Sequence, residues 1–187
     1  MKYIIPKLET ERLILKQGTY EDYAKVYEYD FTRLRDINGE FEFVKIDPEK
    51  IRGFETYALE EDNVLDFIVY LKENNEPIGN ITYDRYDSDK KSLEISCNLH
   101  PNYWRKGYMT EAILSSMKYV FNNLDIENVI YGYAEENIKS KGLSNKLGFV
   151  PYDTHIEHYT RINKDIKSIK TIMSKELFKQ LYDSKVR

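Results

Sequence analysis

A chain of 187 residues can bury one ordinary hydrophobic core, and 41% hydrophobic against 32% charged residues is the balance of a globular domain. A net charge of −4 argues against nonspecific nucleic-acid binding, which needs a basic face; no apolar run reaches membrane-spanning length and residues 1–6 lack a signal-peptide profile, so no nucleic acid, no membrane and a cytoplasmic location are expected. Cys97 is the only cysteine, which excludes an intramolecular disulfide.

Taken in order, residues 12–17 read as a short strand, and Thr19 can cap a helix carrying Tyr20, Tyr23, Ala24, Val26 and Tyr27. Asp47 followed by Pro48, a cap with proline at the first helical position, opens a second helix over 47–59; the loop at 31–46 carries no readable signal. Residues 64–72 and 78–86 are strand-like, and the turn formers between them predict a hairpin.

After a turn at 87–91, Leu93, Ile95, Cys97 and Leu99 alternate with Glu94, Ser96 and Asn98, the period of a strand with one face on a core. On that face Cys97 reads as a small buried hydrophobe, the sharper alternative being a nucleophile. Pro101 ends the ladder because it has no backbone donor. From Met109, the positions Ile113, Ser116, Met117, Val120 and Phe121 lie on one side of a helix. Arg105, Lys106, Gly107 and Tyr108 stand where that helix begins, so free N–H groups, the positive end of the helix dipole and two cations converge. Such a spot suits a phosphate; the bland alternative is a solvated turn. It is not a P-loop, since the G-x-x-x-x-G-K-S/T spacing is missing.

Residues 130–134 form a short strand, and 152–161 and 166–172 two more with a polar turn at 163–165. Ser174 can cap a tail helix presenting Leu177, Phe178 and Leu181 on one face. His155 and His158 would point to opposite faces of their strand with no third ligand nearby, so no metal is expected. Without repeats or linkers, 1–187 reads as a single domain of mixed α/β class, mostly antiparallel with one parallel strand pair and helices on both faces.

The stretch Trp104-Arg105-Lys106-Gly107-Tyr108-Met109-Thr110-Glu111-Ala112 resembles the pyrophosphate loop of the GNAT acetyltransferases. It is most similar to the branch that acetylates ribosomal-protein N-termini, whose loops commonly read W-G-K-G-Y-x-T-E-A. Against the superfamily pattern Q/R-x-x-G-x-G/A, Trp104 replaces Gln or Arg and Met109 replaces Gly or Ala; Arg105 stands where a first glycine is common. A second motif lies in register: Asn137 to Ser140 and Lys146-Leu147-Gly148-Phe149 resemble the family's N-x-x-S and K-x-G-F segments, and Leu8-Glu9-Thr10-Glu11-Arg12-Leu13 resembles the branch's L-x-T-x-R-L opening.

The resemblance implies acetyl-CoA as co-substrate and a primary amine, a protein N-terminus or a small molecule, as acceptor; it leaves room for a homodimer. An acyl-CoA-binding domain without turnover is the alternative. Cys97, Leu99, Trp104, Arg105, Lys106, Gly107, Tyr108, Met109, Thr110, Asn137 and Ser140 are then the cofactor-binding positions, with the parallel strands splayed for the pantetheine arm. Direct transfer needs no covalent nucleophile. Glu94 is the candidate base and Ser140 the candidate donor to the leaving sulfur; Ser144 and water remain open as the acid. The bland readings are a surface strand residue for Glu94, a helix serine for Ser140 and a helix cap for Asn137. Gly107 carries a conditional expectation: with negative φ, alanine should leave stability level or higher while weakening CoA, whereas a mere turn glycine with positive φ should lose stability on that change and leave the CoA affinity of the folded protein unaltered.

Overall fold

Alternating apolar residues and well-placed turns produce, in a computed structural model, strands β1 (Leu8–Glu9), β2 (Leu13–Lys16), β3 (Arg35–Ile37), β4 (Glu40–Glu42), β5 (Leu65–Leu71), β6 (Pro77–Asp87), β7 (Ser92–Leu99), β8 (Asn128–Ala134), β9 (Val150–Tyr159) and β10 (Lys164–Ser174). The α-helices include α1 (Tyr20–Val26), α2 (Tyr108–Asn123), α3 (Ile138–Leu147) and α4 (Lys175–Phe178). The structure describes residues 3–27, 35–37, 40–42, 49, 52–53, 57–58, 63–159 and 164–183. Most of the helix expected over 47–59 and most of the loop at 31–46 lie outside these; residues 49, 52–53 and 57–58 are helical, and β3 pairs with β4.

The main sheet has the order β1-β2-β5-β6-β7-β8-β10-β9. It is mixed: β7 and β8 run parallel, while β1–β2, β2–β5, β5–β6, β8–β10 and β10–β9 are antiparallel. The expected mixed α/β class is what the chain adopts. The parallel ladder covers four pairs, from Ser92↔Asn128 to Ile95↔Tyr131. Both strands run on beyond it, β7 to Leu99 and β8 to Ala134.

The chain packs as two compact units, Met1–Tyr83 with Cys97–Ser116, and Asp84–Ser96 with Met117–Arg187. In the first, the β5–β6 register sets Asp66, Ile68, Asn80 and Thr82 on one face and Leu65, Phe67, Ile81 and Tyr83 on the other. The first face takes α1, whose Tyr23, Val26 and Tyr27 cluster with Ile68 and Tyr70. The second takes the start of α2, where the buried Tyr83 hydroxyl meets Ser116 Oγ at 2.8 Å. Helix α1 forms because Thr19 and Asp22 make a reciprocal capping box. Gly79 permits the close approach of β6 to β7, since a Cβ there would stand 2.3 Å from the Asn98 carbonyl oxygen.

In the second unit, Leu93, Ile95, Val129 and Tyr131 share a face through the parallel register. Phe121 of α2 meets Phe178 of α4 at 5.4 Å between ring centres, and Leu147 of α3 and Phe149 are buried. Two expectations are corrected here. Lys164 and Asp165 belong to β10, paired with Tyr159 and His158, because cross-strand contacts such as His158 with Asp165 extend the ladder into the polar segment first read as turn. Cys97 is half-buried rather than buried, because it lies beyond the stretch of β7 that carries the fully buried Leu93 and Ile95.

Candidate functional site

The start of α2 belongs to the first unit. Arg105 has φ 62° and Gly107 φ 83°, with Lys106 negative between them, an alternation of hand of the kind found in anion-binding backbone nests. Gly107 closes the first helical bond through its carbonyl, which accepts from Glu111 N–H at 3.1 Å, yet glycine offers no capping side chain. Helix geometry therefore leaves the N–H groups of Tyr108, Met109 and Thr110 without an intrahelical acceptor. The φ of Gly107 is positive, so alanine there is strained and the expectation of unchanged stability, which required a negative φ, is corrected.

Arg105 keeps the left-handed backbone that a glycine would take at this position, and both it and Lys106 are exposed. Met109 points into the core. Trp104 Nε1 donates to the Leu99 carbonyl at 2.6 Å, tying the end of β7 to the loop and occupying one of the backbone groups expected to meet pantetheine. The backbone pattern, the helix dipole and two exposed cations fit a pyrophosphate.

Glu94, Asn137 and Ser140 belong to the second unit. Glu94 lines an open recess of about 490 Å³ with Arg85, Lys90, Tyr152, Asp153 and Lys170. Its Oε1 accepts from Lys170 Nζ at 2.5 Å and its Oε2 from Arg85 Nη1 at 3.0 Å. Asn137 Oδ1 accepts from Ser140 N–H at 3.1 Å, so Asn137 caps α3 while its amide N–H groups take no part in the cap. Ser140 is half-buried, whereas Ser144 is fully buried with its hydroxyl 2.9 Å from Thr171 Oγ1. The Ser144 hydroxyl is thus turned to Thr171 rather than to solvent. Among the described residues no group of three ligands could hold a metal ion.

Two clusters escaped the sequence. The first joins Thr10 and Arg12 to Glu111: Arg12 Nε and Nη2 each lie 2.7 Å from Glu111 Oε2, and Thr10 Oγ1 donates to Oε1 at 2.6 Å. Burial alone would raise the Glu111 carboxyl, but the Thr10 and Arg12 hydrogen bonds and the Arg12 charge outweigh it and hold the carboxyl below its usual range. The second surrounds buried Asp66, which accepts from Tyr23 at 2.6 Å, from Asn80 at 3.1 Å and from Thr82. Burial and the neighbouring Asp66 charge push the Tyr23 phenol up, so it stays a donor. Asn98 extends this network to Tyr27 and Asn80, both at 3.2 Å. A lone aspartate in the apolar run Leu65-Asp66-Phe67-Ile68-Val69 was its one visible signal.

A family model described as an acetyltransferase (GNAT) domain matches residues 12–150. The uncharacterised N-acetyltransferase YnaD of Bacillus subtilis (strain 168) is 30% identical over 146 residues, 75% of this chain and 81% of that protein. A proposed ribosomal-protein-serine acetyltransferase from Vibrio cholerae superposes with TM-score 0.73 at 14% identity, over 91% of this chain and 99% of that one. The microcin C7 self-immunity acetyltransferase MccE, solved with acetyl-CoA and AMP, superposes with TM-score 0.72 at 13% identity, over 88% and 93%. With a domain-length family match spanning the helix start and the α3 cap, the chain belongs to the GNAT acetyltransferase family.

Proposed function

We propose that this enzyme moves the acetyl group of acetyl-CoA directly onto a primary amine, with a protein N-terminus as the favoured acceptor class. The observation that carries it is the start of α2, a long helix that begins on Gly107, which offers no side chain of its own as a cap, next to Arg105 and Lys106. Those N–H groups and the two cations would hold the pyrophosphate. The N-terminal acceptor class rests on the loop's likeness to W-G-K-G-Y-x-T-E-A and on the fold shared with the Vibrio cholerae protein.

Bound acetyl-CoA supplies an activated thioester; the chain has to present a neutral amine to it and give the departing sulfur a proton. Glu94 is the proposed proton acceptor. Lys170 and Arg85 each hold one of its oxygens, fixing its orientation while leaving further lone pairs. The half-buried Ser140 hydroxyl is the proposed donor toward sulfur.

The same two ion pairs favour a second reading, binding without turnover, because Lys170 and Arg85 already stand on both oxygens that an amine would have to approach. Free-thiol release against a panel of peptides and small amines, with acceptors identified by mass shift, separates the two. Glu94→Gln should lower kcat about a hundredfold or more while leaving CoA affinity within about twofold. Unchanged turnover across pH assigns Glu94 to the recess alone.

A further inference from the structure

We propose that Arg12 is a positioning residue for the cofactor loop, fixing the peptide plane that aims the Gly107 N–H at the pyrophosphate. This rests on the reading that the loop binds acetyl-CoA. Arg12 is held at the front of β2, 94 positions before Lys106, and its guanidinium meets three consecutive loop residues. Nη1 donates to the Lys106 carbonyl at 3.0 Å, the cationic plane lies 4.5 Å from the Tyr108 ring centre, and Nη2 stands 3.4 Å from where a Gly107 Cβ would be. The remaining edge is anchored on Glu111, which also receives the Arg12 backbone N–H at 2.9 Å.

Because a trans peptide sets C=O and N–H on opposite sides of one plane, drawing the Lys106 carbonyl toward Arg12 turns the Gly107 N–H away from it. That is the side on which an anion can approach without meeting the guanidinium. Gly107 adopts its left-handed φ freely, but Arg105 does not, so the loop does not rest in this shape by local preference alone and an outside brace helps to hold it. Pairing has a second effect. Glu111 would otherwise set a carboxylate one turn from the phosphates, and Arg12 neutralises it. Arg12 itself is thereby occupied, which distinguishes it from Arg105 and Lys106 as a phosphate ligand.

Lysine at position 12 can keep the charge beside Glu111 but cannot also reach the Lys106 carbonyl and cover Tyr108. The test compares Arg12→Lys with the parent enzyme on two acetyl donors, acetyl-CoA and S-acetylpantetheine, which lacks the pyrophosphate. Losing one hydrogen bond that orders the loop should lower the ratio of kcat/KM for acetyl-CoA to that for S-acetylpantetheine about tenfold, mostly through KM for acetyl-CoA. Melting temperatures are measured alongside, and if Arg12→Lys folds poorly, Glu111→Gln, which frees the anchored edge, should move the same ratio in the same direction. A parent enzyme that binds CoA and variants that fold but keep the parent ratio would overturn the role of Arg12 alone. A parent enzyme that binds no CoA overturns the cofactor reading and this one with it.

Discussion

Helix α3 closes its own N-terminus, with the Asn137 side chain accepting from Ser140 N–H, and α1 and α4 do the same through Thr19 and Ser174. Helix α2, the longest of the four described, begins instead on a glycine with positive φ and no side chain to offer. Both kinds of start carry the same orphan donors and the same dipole. What differs is whether the chain supplies the acceptor. A start that the sequence has already capped is finished, while the one that begins on glycine beside two exposed cations is the one we propose for the pyrophosphate.

Substitutions at three positions bear on that contrast. Gly107→Ala forces an L residue into φ 83° and should cost about 1–2 kcal/mol, a fall in Tm of roughly 2–8 °C for a chain of this length. CoA affinity should fall with it, since relief of that strain shifts the Gly107 backbone and with it the N–H proposed to meet the pyrophosphate; the methyl itself would stand 3.4 Å from Arg12 Nη2, an ordinary contact. A variant with parental Tm and parental CoA affinity would leave the open start with no special role. Asn137→Ala should cost about 1 kcal/mol by removing the cap, as read by denaturant unfolding. Asn137→Asp keeps the acceptor oxygen and should recover that stability while lacking the amide donors, so any CoA defect it retains belongs to ligand contact rather than capping. Arg105→Gly should be the mildest: relief of the left-handed strain, about 1–2 kcal/mol, is offset by the roughly 0.5–1 kcal/mol entropic cost of glycine. A level or slightly higher Tm with weakened CoA binding is the expected pair of results. A clear loss of stability would mean that the Arg105 side chain holds the loop.

Much of this was legible because it is local. The alternation of Leu93, Ile95, Cys97 and Leu99 around Glu94, Ser96 and Asn98 is a strand signal needing no partner, and Met109 to Phe121 marks its helix face by spacing alone. Thr19 and Ser174 as caps were readable for the same reason. The sign of φ at Arg105 and Gly107 was not, because arginine gives no hint of a left-handed backbone and glycine allows both signs. Nor could composition tell that Ser144 turns inward to Thr171 or that Trp104 reaches back to Leu99. The Arg12–Glu111 pair was hidden by distance, since nothing in either neighbourhood names the other.

That distance has a bearing on how the protein comes to be competent. Arg12 and Glu111 are 99 positions apart, and Thr10 and Glu111 are 101. Closing so long a segment carries an entropic cost that only the strands folded in between, β5 to β7, make tolerable, so the brace is a high-contact-order feature formed after its surroundings. During synthesis the N-terminal arginine waits for nearly a hundred further residues before its acceptor exists. Local opening of the first strands should accordingly release the loop while most of the sheet stays protected, making amide exchange at residues 105–110 a gauge of whether the amino-terminal end is docked.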